Sequence, residues 1–116
     1  MLDQTMPRAV LLVQGGDKDG ESIPLADGSF VIGRSALNDI EVDAPGISRQ
    51  HAVITGGSAG YTVADLDSRN GTFVNGERIG QEPRQLRTWD RIELGGMETH
   101  WVFMMSDETI DVPRPK

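Results

Sequence analysis

Apolar and polar residues alternate along this chain in short runs that stop at Gly, Asp, Asn or Pro. A period of two with frequent β-branched residues predicts strands, and apolar positions at helical spacing are hard to find. Strands are expected near 8–13 (RAVLLV), 21–25 (ESIPL), 29–34 (SFVIGR), 39–42 (DIEV), 51–55 (HAVIT) and 61–66 (YTVADL). The pattern continues at 72–74 (TFV), 77–79 (ERI), 84–86 (RQL), 91–94 (RIEL) and 98–105 (ETHWVFMM). Many short strands at close, regular spacing predict an antiparallel sandwich or barrel. Residues 1–6 and 106–116 lack the pattern and are expected to be flexible tails on one domain spanning 7–105. The prolines of the second tail, SDETIDVPRPK, discourage regular structure.

The stretch LDSRNGTFVNG (66–76) contains Asn-Gly twice, and Asn-Gly is the strongest short-range signal for a two-residue hairpin turn. Matching residues across Asn75-Gly76 sets Val74 opposite Glu77, Phe73 opposite Arg78 and Thr72 opposite Ile79. Val74 and Ile79 then share a core face, and Phe73 shares the other face with the Arg78 stem. The same exercise around Asn70-Gly71 gives no common buried face. Residues 67–71 therefore read as a loop carrying a carboxylate, a hydroxyl, a guanidinium and an amide. Loops of that composition on a rigid frame are where binding groups sit, although solvated polar turns share it.

Composition narrows the classes. With 116 residues the chain fits one domain, and 14 Gly with 5% aromatic residues suit a turn-rich β protein. The absence of Cys removes disulfides and thiolate metal sites and makes a reducing, cytoplasmic setting the expectation. The run from Ala9 to Val13 is too short for a membrane span, so no membrane association is expected. A formal charge of −7 argues against binding bulk nucleic acid, although a local cationic pocket is compatible with it.

Such a pocket is suggested by three loops: Arg34 at the tip of one strand, Ser48 and Arg49 before the next, and Arg69 with Asn70. In a chain with 11 basic and 18 acidic residues, their clustering is informative if the loops converge. Here the sequence resembles the forkhead-associated (FHA) domain family. The matching residues are Gly33-Arg34, Ser48-x-x-His51, Ser68-x-Asn70-Gly71-Thr72 and Asn75-Gly76, and the resemblance covers about residues 8–105. It implies an all-β, eleven-stranded antiparallel β-sandwich of the SMAD/FHA-like kind, whose loops at one end bind phosphothreonine peptides. The implied partner is a phosphothreonine-containing protein, a Ser/Thr kinase or its substrate.

By this resemblance Arg34 and Ser48 hold the phosphate and Asn70 bonds the peptide main chain. Arg69 reaches the phosphate or an acidic neighbour, and Arg49 adds supporting charge. A phosphothreonine carries about −1.5 to −2 charges and three acceptor oxygens, which a guanidinium fork meets better than an ammonium. Gly33, His51, Gly71, Thr72, Asn75 and Gly76 are expected to be structural supports. The competing reading is a phosphate-independent FHA-like scaffold or oligomerisation module. Trp89, Trp101, Phe30 and Phe103 are expected to pack in the core or at its rim.

No enzyme is expected, because Ser48 and His51 are not spaced as a triad and no nucleophile-elbow motif is present. Residues 17–20 (DKDG) lack the closing Glu of a calcium loop and read as a polar turn. The two His stand 49 residues apart without second ligands, so neither a metal nor a cofactor is expected. Thr109, with Val112 three residues later, is a candidate phosphosite through which the C-terminal tail would dock on its own or a neighbouring pocket.

Overall fold

The period of two becomes the inside and outside of two sheets in the computed structural model, which describes residues 8–95, 97 and 99–105. Residues assigned above to the tails, Thr109 among them, lie outside the described residues. In β1 (Ala9–Gln14), Ala9, Leu11 and Val13 are buried while Val10 and Leu12 are half-buried on the other face. The other strands are β2 (Ser22–Leu25), β3 (Gly28–Gly33), β4 (Ile40–Glu41), β5 (Ala52–Gly57) and β6 (Gly60–Asp65). After these come β7 (Thr72–Val74), β8 (Glu77–Ile79), β9 (Arg84–Gln85), β10 (Arg91–Leu94) and β11 (His100–Met105). The eleven expected strands are present, with ends shifted by a residue or two.

One sheet has six strands in the order β2-β1-β11-β10-β7-β8, and the other five in the order β4-β3-β5-β6-β9. Leu11, Leu25, Ile32, Ile54, Tyr61, Val63, Val74, Ile92 and Phe103 are fully buried between them. The Tyr61 and Phe103 rings meet at 5.6 Å with a tilt of 55°, and the Tyr61 hydroxyl donates to the carbonyls of Leu25 and Ala26. A buried phenol so placed supplies apolar area without leaving its O–H unpaired.

Two expectations need adjustment. Pairing is not wholly antiparallel, because β4 runs parallel to β3, with Ile32 beside Ile40 and Gly33 beside Glu41. Asp39 accepts the Val31 N–H at 2.9 Å, and the chain re-enters along β3 in the same direction. Trp101 and Phe103 are core and Phe30 packs against it, but Trp89 is 43% exposed. Its φ of 84°, in a turn closed by Asp90 N–H to Arg87 O, directs the indole to a groove outside the six-stranded sheet.

The Asn75-Gly76 turn has the expected register, Thr72 with Ile79, Phe73 with Arg78 and Val74 with Glu77. Its φ values of 53° and 85° are those of a type I′ turn. Register also gathers the loops. Ile32 pairs with Ala52, Ala52 with Asp65, and Thr72 with Leu94. The ends of β3, β6 and β10 and the starts of β5 and β7 therefore share one end of the sandwich.

Candidate functional site

The β3–β4 and β4–β5 loops are joined by their backbones first. Arg34 N–H donates to Ser48 O at 2.9 Å, and Asn38 Nδ2 donates to Arg49 O at 2.6 Å. A Cβ on Gly33 would fall on the Arg49 carbonyl, so the residue before Arg34 must be glycine for the loops to approach this closely. Arg34 Nε donates to Ile47 O at 3.0 Å. This bond holds the guanidinium at Nε, and its two terminal nitrogens make no hydrogen bond among the described residues.

His51 is fully buried and ties the second loop to the third. Its Nδ1 accepts the Ser48 N–H at 3.2 Å and its Nε2 lies 2.8 Å from Gly71 O. Since Nδ1 accepts, the Nε2 proton is the one that donates to the Gly71 carbonyl.

The β6–β7 loop is held from beneath by Asp65. Its Oδ2 accepts the Ser68 N–H at 2.9 Å, and its Oδ1 accepts the hydroxyls of Ser68 (2.6 Å) and Thr72 (2.7 Å). Ser68 Oγ in turn accepts the Gly71 N–H at 2.9 Å. Burial raises the Asp65 pKa, but the hydrogen bonds from Ser68 and Thr72 outweigh it and hold the carboxyl below its usual range. Gly95 closes the assembly, since its N–H donates to Gly71 O at 2.8 Å and a Cβ there would meet the Asn70 carbonyl.

On this frame the charged side chains converge. Arg34, Ser48, Arg49 and Arg69 line one cleft of about 670 Å³, together with Leu37, Asn38, Gly46 and Ile47 among others. Among the described residues no carboxylate lines it. The Arg69 N–H donates to Ser48 Oγ at 3.0 Å, leaving the Ser48 O–H available as a donor. The Arg49 and Arg69 guanidiniums are exposed and make no hydrogen bond or ion pair among the described residues. Asn70 does not line the cleft itself. Its Nδ2 donates to the carbonyl of Gly46, a lining residue, at 2.8 Å, and its Oδ1 remains an unused acceptor.

Thus four of the five predicted binding residues share the cleft and the fifth adjoins it. Gly33, His51, Gly71 and Thr72 lie in the frame beneath. Asn75 and Gly76 sit at the far end of β7, where Asn75 also donates to Asp90 Oδ1 and accepts the Arg91 N–H. Sequence reasoning missed Asp65, Asn38 and the role of Gly95. Asp65 had a local signal, a short acidic side chain three residues before Ser68, the spacing of side-chain-to-backbone capping in turns. Asn38 and Gly95 had none. No group of His, Asp and Glu that would hold a metal occurs among the described residues.

Comparison with known proteins agrees with this frame. The family model of the FHA domain matches residues 30–95. The transcriptional regulatory protein EmbR of Mycobacterium tuberculosis is 43% identical over 60 residues, which are 52% of this chain and 16% of EmbR. The oxoglutarate dehydrogenase inhibitor of Corynebacterium efficiens is 34% identical over 90 residues, 75% of this chain and 60% of that protein. The chain thus spans only part of the length of these relatives.

The structure of M. tuberculosis EmbR in complex with a low-affinity phosphopeptide superposes with a TM-score of 0.77 at 32% identity, over 90% of this chain and 26% of EmbR. An FHA domain studied for phosphothreonine-dependent interactions gives 0.73 at 31% identity, over 84% of this chain and 95% of that one. The family model spans the three loops that line the cleft and the Gly33 and Gly95 contacts that brace it, and the same two-sheet frame recurs in these relatives: the chain belongs to the FHA domain family.

Proposed function

We propose that the cleft binds phosphothreonine in an extended peptide, making this chain a module for phosphorylation-dependent protein–protein interaction in Ser/Thr kinase signalling. The observation that carries the reading is the convergence of Arg34, Arg49 and Arg69 with the Ser48 hydroxyl in a cleft lined by no carboxylate among the described residues, in a protein of net charge −7. Arg34, held at Nε, offers two terminal nitrogens to phosphate oxygens, and the Ser48 hydroxyl donates to a third. Asn70 Oδ1 is placed to accept a peptide N–H, fixing the ligand across the loop tips. Arg69 adds a donor beside Ser48, and Arg49, the residue after Ser48 in the β4–β5 loop, adds charge.

The partner in this reading is a Ser/Thr kinase or its substrate, met in the cytoplasm, and the module acts by binding alone. The C-terminal tail, once phosphorylated at Thr109, is a candidate ligand for the same cleft in the same or a neighbouring molecule. Mass spectrometry that finds Thr109 unmodified in the presence of an active cognate kinase removes that part. A phosphate-independent scaffold would not need Arg34 or Ser48, and both are present.

The test is calorimetric titration with a phosphothreonine peptide, its unphosphorylated twin and a phosphoserine version. Binding should require the phosphate. A charge-assisted hydrogen bond contributes about 1.5–3 kcal/mol, so Arg34→Ala should weaken binding by about 10- to 100-fold or more. Equal binding of the phosphorylated and unphosphorylated peptides would overturn the reading.

A further inference from the structure

The outward face of the six-stranded sheet is apolar where a solvated face would be polar. In β1 and β11 the residues turned away from the core include Val10, Leu12, Val102 and Met104, all half-buried. They pair as Val10 with Met104 and Leu12 with Val102. An antiparallel sheet that meets water on one face alternates apolar with polar residues, so two adjacent inner strands that are apolar on both faces suit a covered sheet. Beside them Trp89, 43% exposed, walls a groove also lined by Leu12, Val102, Arg91 and His100.

Trp89 is held there at a cost to the backbone. It is the third residue of the Arg87–Asp90 turn, closed by Asp90 N–H to Arg87 O at 3.0 Å and Arg87 N–H to Asp90 Oδ2 at 2.8 Å. A φ of 84° at that position is the type II geometry that glycine adopts without strain and tryptophan does not. Glycine would serve the turn better, whereas the indole serves the groove. Arg91 brings a positive charge to the groove and His100 a ring N–H donor. Neither side chain makes a hydrogen bond or ion pair among the described residues, and no acid among them lines the groove.

The course of the chain indicates the occupant. β11 supplies Val102 to the floor and ends at Met105, about 10 Å farther along the strand, where the sequence continues SDETIDVPRPK. This segment sets Ile110 and Val112 among the carboxylates of Asp107, Glu108 and Asp111, the complement of an apolar groove with an unpaired guanidinium. We infer that residues 106–112 fold back over the outward face of β1 and β11, with Ile110 and Val112 against Trp89, Leu12 and Val102 and the acids beside Arg91. Ser106 to Thr109 suffice to reverse the chain, a length common in hairpin loops. Asn75, which also lines the groove, belongs to the end of the sandwich away from the phosphate cleft. The contact therefore needs neither phosphate nor Arg34, and it covers the apolar face while leaving the cleft open.

The test is acrylamide quenching of tryptophan fluorescence in the full chain, which reads Trp89 because Trp101, the other indole, is 3% exposed. The quenching constant should be roughly twofold higher or more in the double variant Ile110→Ser, Val112→Ser than in wild type, as the docked population is lost. Asp107→Asn with Asp111→Asn should raise it less, since the apolar contacts remain. Benzoylphenylalanine in place of Ile110 should crosslink on irradiation to groove residues of the same chain, with or without Arg34→Ala. The yield should fall in Trp89→Gly, whose glycine suits the turn, and in Arg91→Gln, a change at an exposed position. Equal quenching in wild type and the double serine variant overturns the inference. So do crosslinks that join two chains or lie only on other surfaces, and a yield undiminished in both groove variants.

Discussion

Replacing Asp65 by Ala should unfold the binding end of the sandwich more than any change to the arginines it supports. The carboxylate accepts three hydrogen bonds, two from Ser68 and one from Thr72, and is only 7% exposed. In the variant the two hydroxyls are free to rotate toward other acceptors, but the Ser68 N–H is fixed by the backbone. An unsatisfied buried donor costs about 1–3 kcal/mol, and losing bonds to a charged acceptor adds to this. The desolvation cost of the buried carboxylate, relieved on its removal, offsets part of the sum.

A net loss of about 3 kcal/mol follows, and at about 4–8 °C per kcal/mol for a domain near 100 residues Tm should fall by about 12 °C or more. Urea unfolding followed by tryptophan fluorescence measures the change directly, and the slope should match wild type if only the native state is affected. Ser68→Ala and Thr72→Val, alone and with Asp65→Ala, form cycles whose coupling should reach about 1 kcal/mol or more. A loss under about 0.5 kcal/mol, or strictly additive cycles, would refute the claim that this carboxylate organises the loop.

Other outcomes follow from the same frame. The Asp65 pKa is depressed in the folded state, so its contribution is complete above the unfolded value of about 3.9 and is lost as pH falls through the folded value. Below about pH 4, wild type should therefore lose stability more steeply than Asp65→Asn, as read by urea titrations across pH. Asn70→Ala should cost about tenfold in phosphopeptide affinity while changing Tm little, since the side chain is exposed and its one bond is to Gly46 O. Gly76→Val should do the reverse, because a β-branched residue at φ 85° is strained by about 1–3 kcal/mol far from the cleft. Gly95→Ala should impair both, since its Cβ would meet the Asn70 carbonyl and shift the loop; unchanged affinity in calorimetry would contradict that contact.

Much of the fold was legible because strand patterning is a local property. The alternation in residues 9–13 and 61–65 reports which face each side chain takes, and neighbours along the chain suffice to read it. The same holds for Asn75-Gly76, whose φ requirement and cross-strand partners lie within eight residues of chain. The parallel β3–β4 pair was not legible, because two residues carry no directional signal and the order depends on Asp39 meeting Val31 across the sheet edge. Trp89 escaped because its left-handed backbone is imposed by the turn from Arg87 to Asp90, where composition favours a glycine.

For the site, the sequence alone determined which residue types stood in which loops: Arg34, Ser48, Arg49, Arg69 and Asn70 are recognisable from composition, loop position and resemblance. It also separated the two Asn-Gly pairs, since one satisfies a hairpin register and the other does not. Only the tertiary structure decided that these loops meet. The bonds that bring them together join residues 20 to 24 positions apart: His51 to Gly71, Ser48 to Arg69 and Gly46 to Asn70. Hydrogen bonding of that kind depends on positions fixed by the packing of two sheets, whereas alternation depends only on the next residue. The same packing keeps the carboxylates of the described residues out of the cleft, and so leaves its guanidiniums facing no described acid.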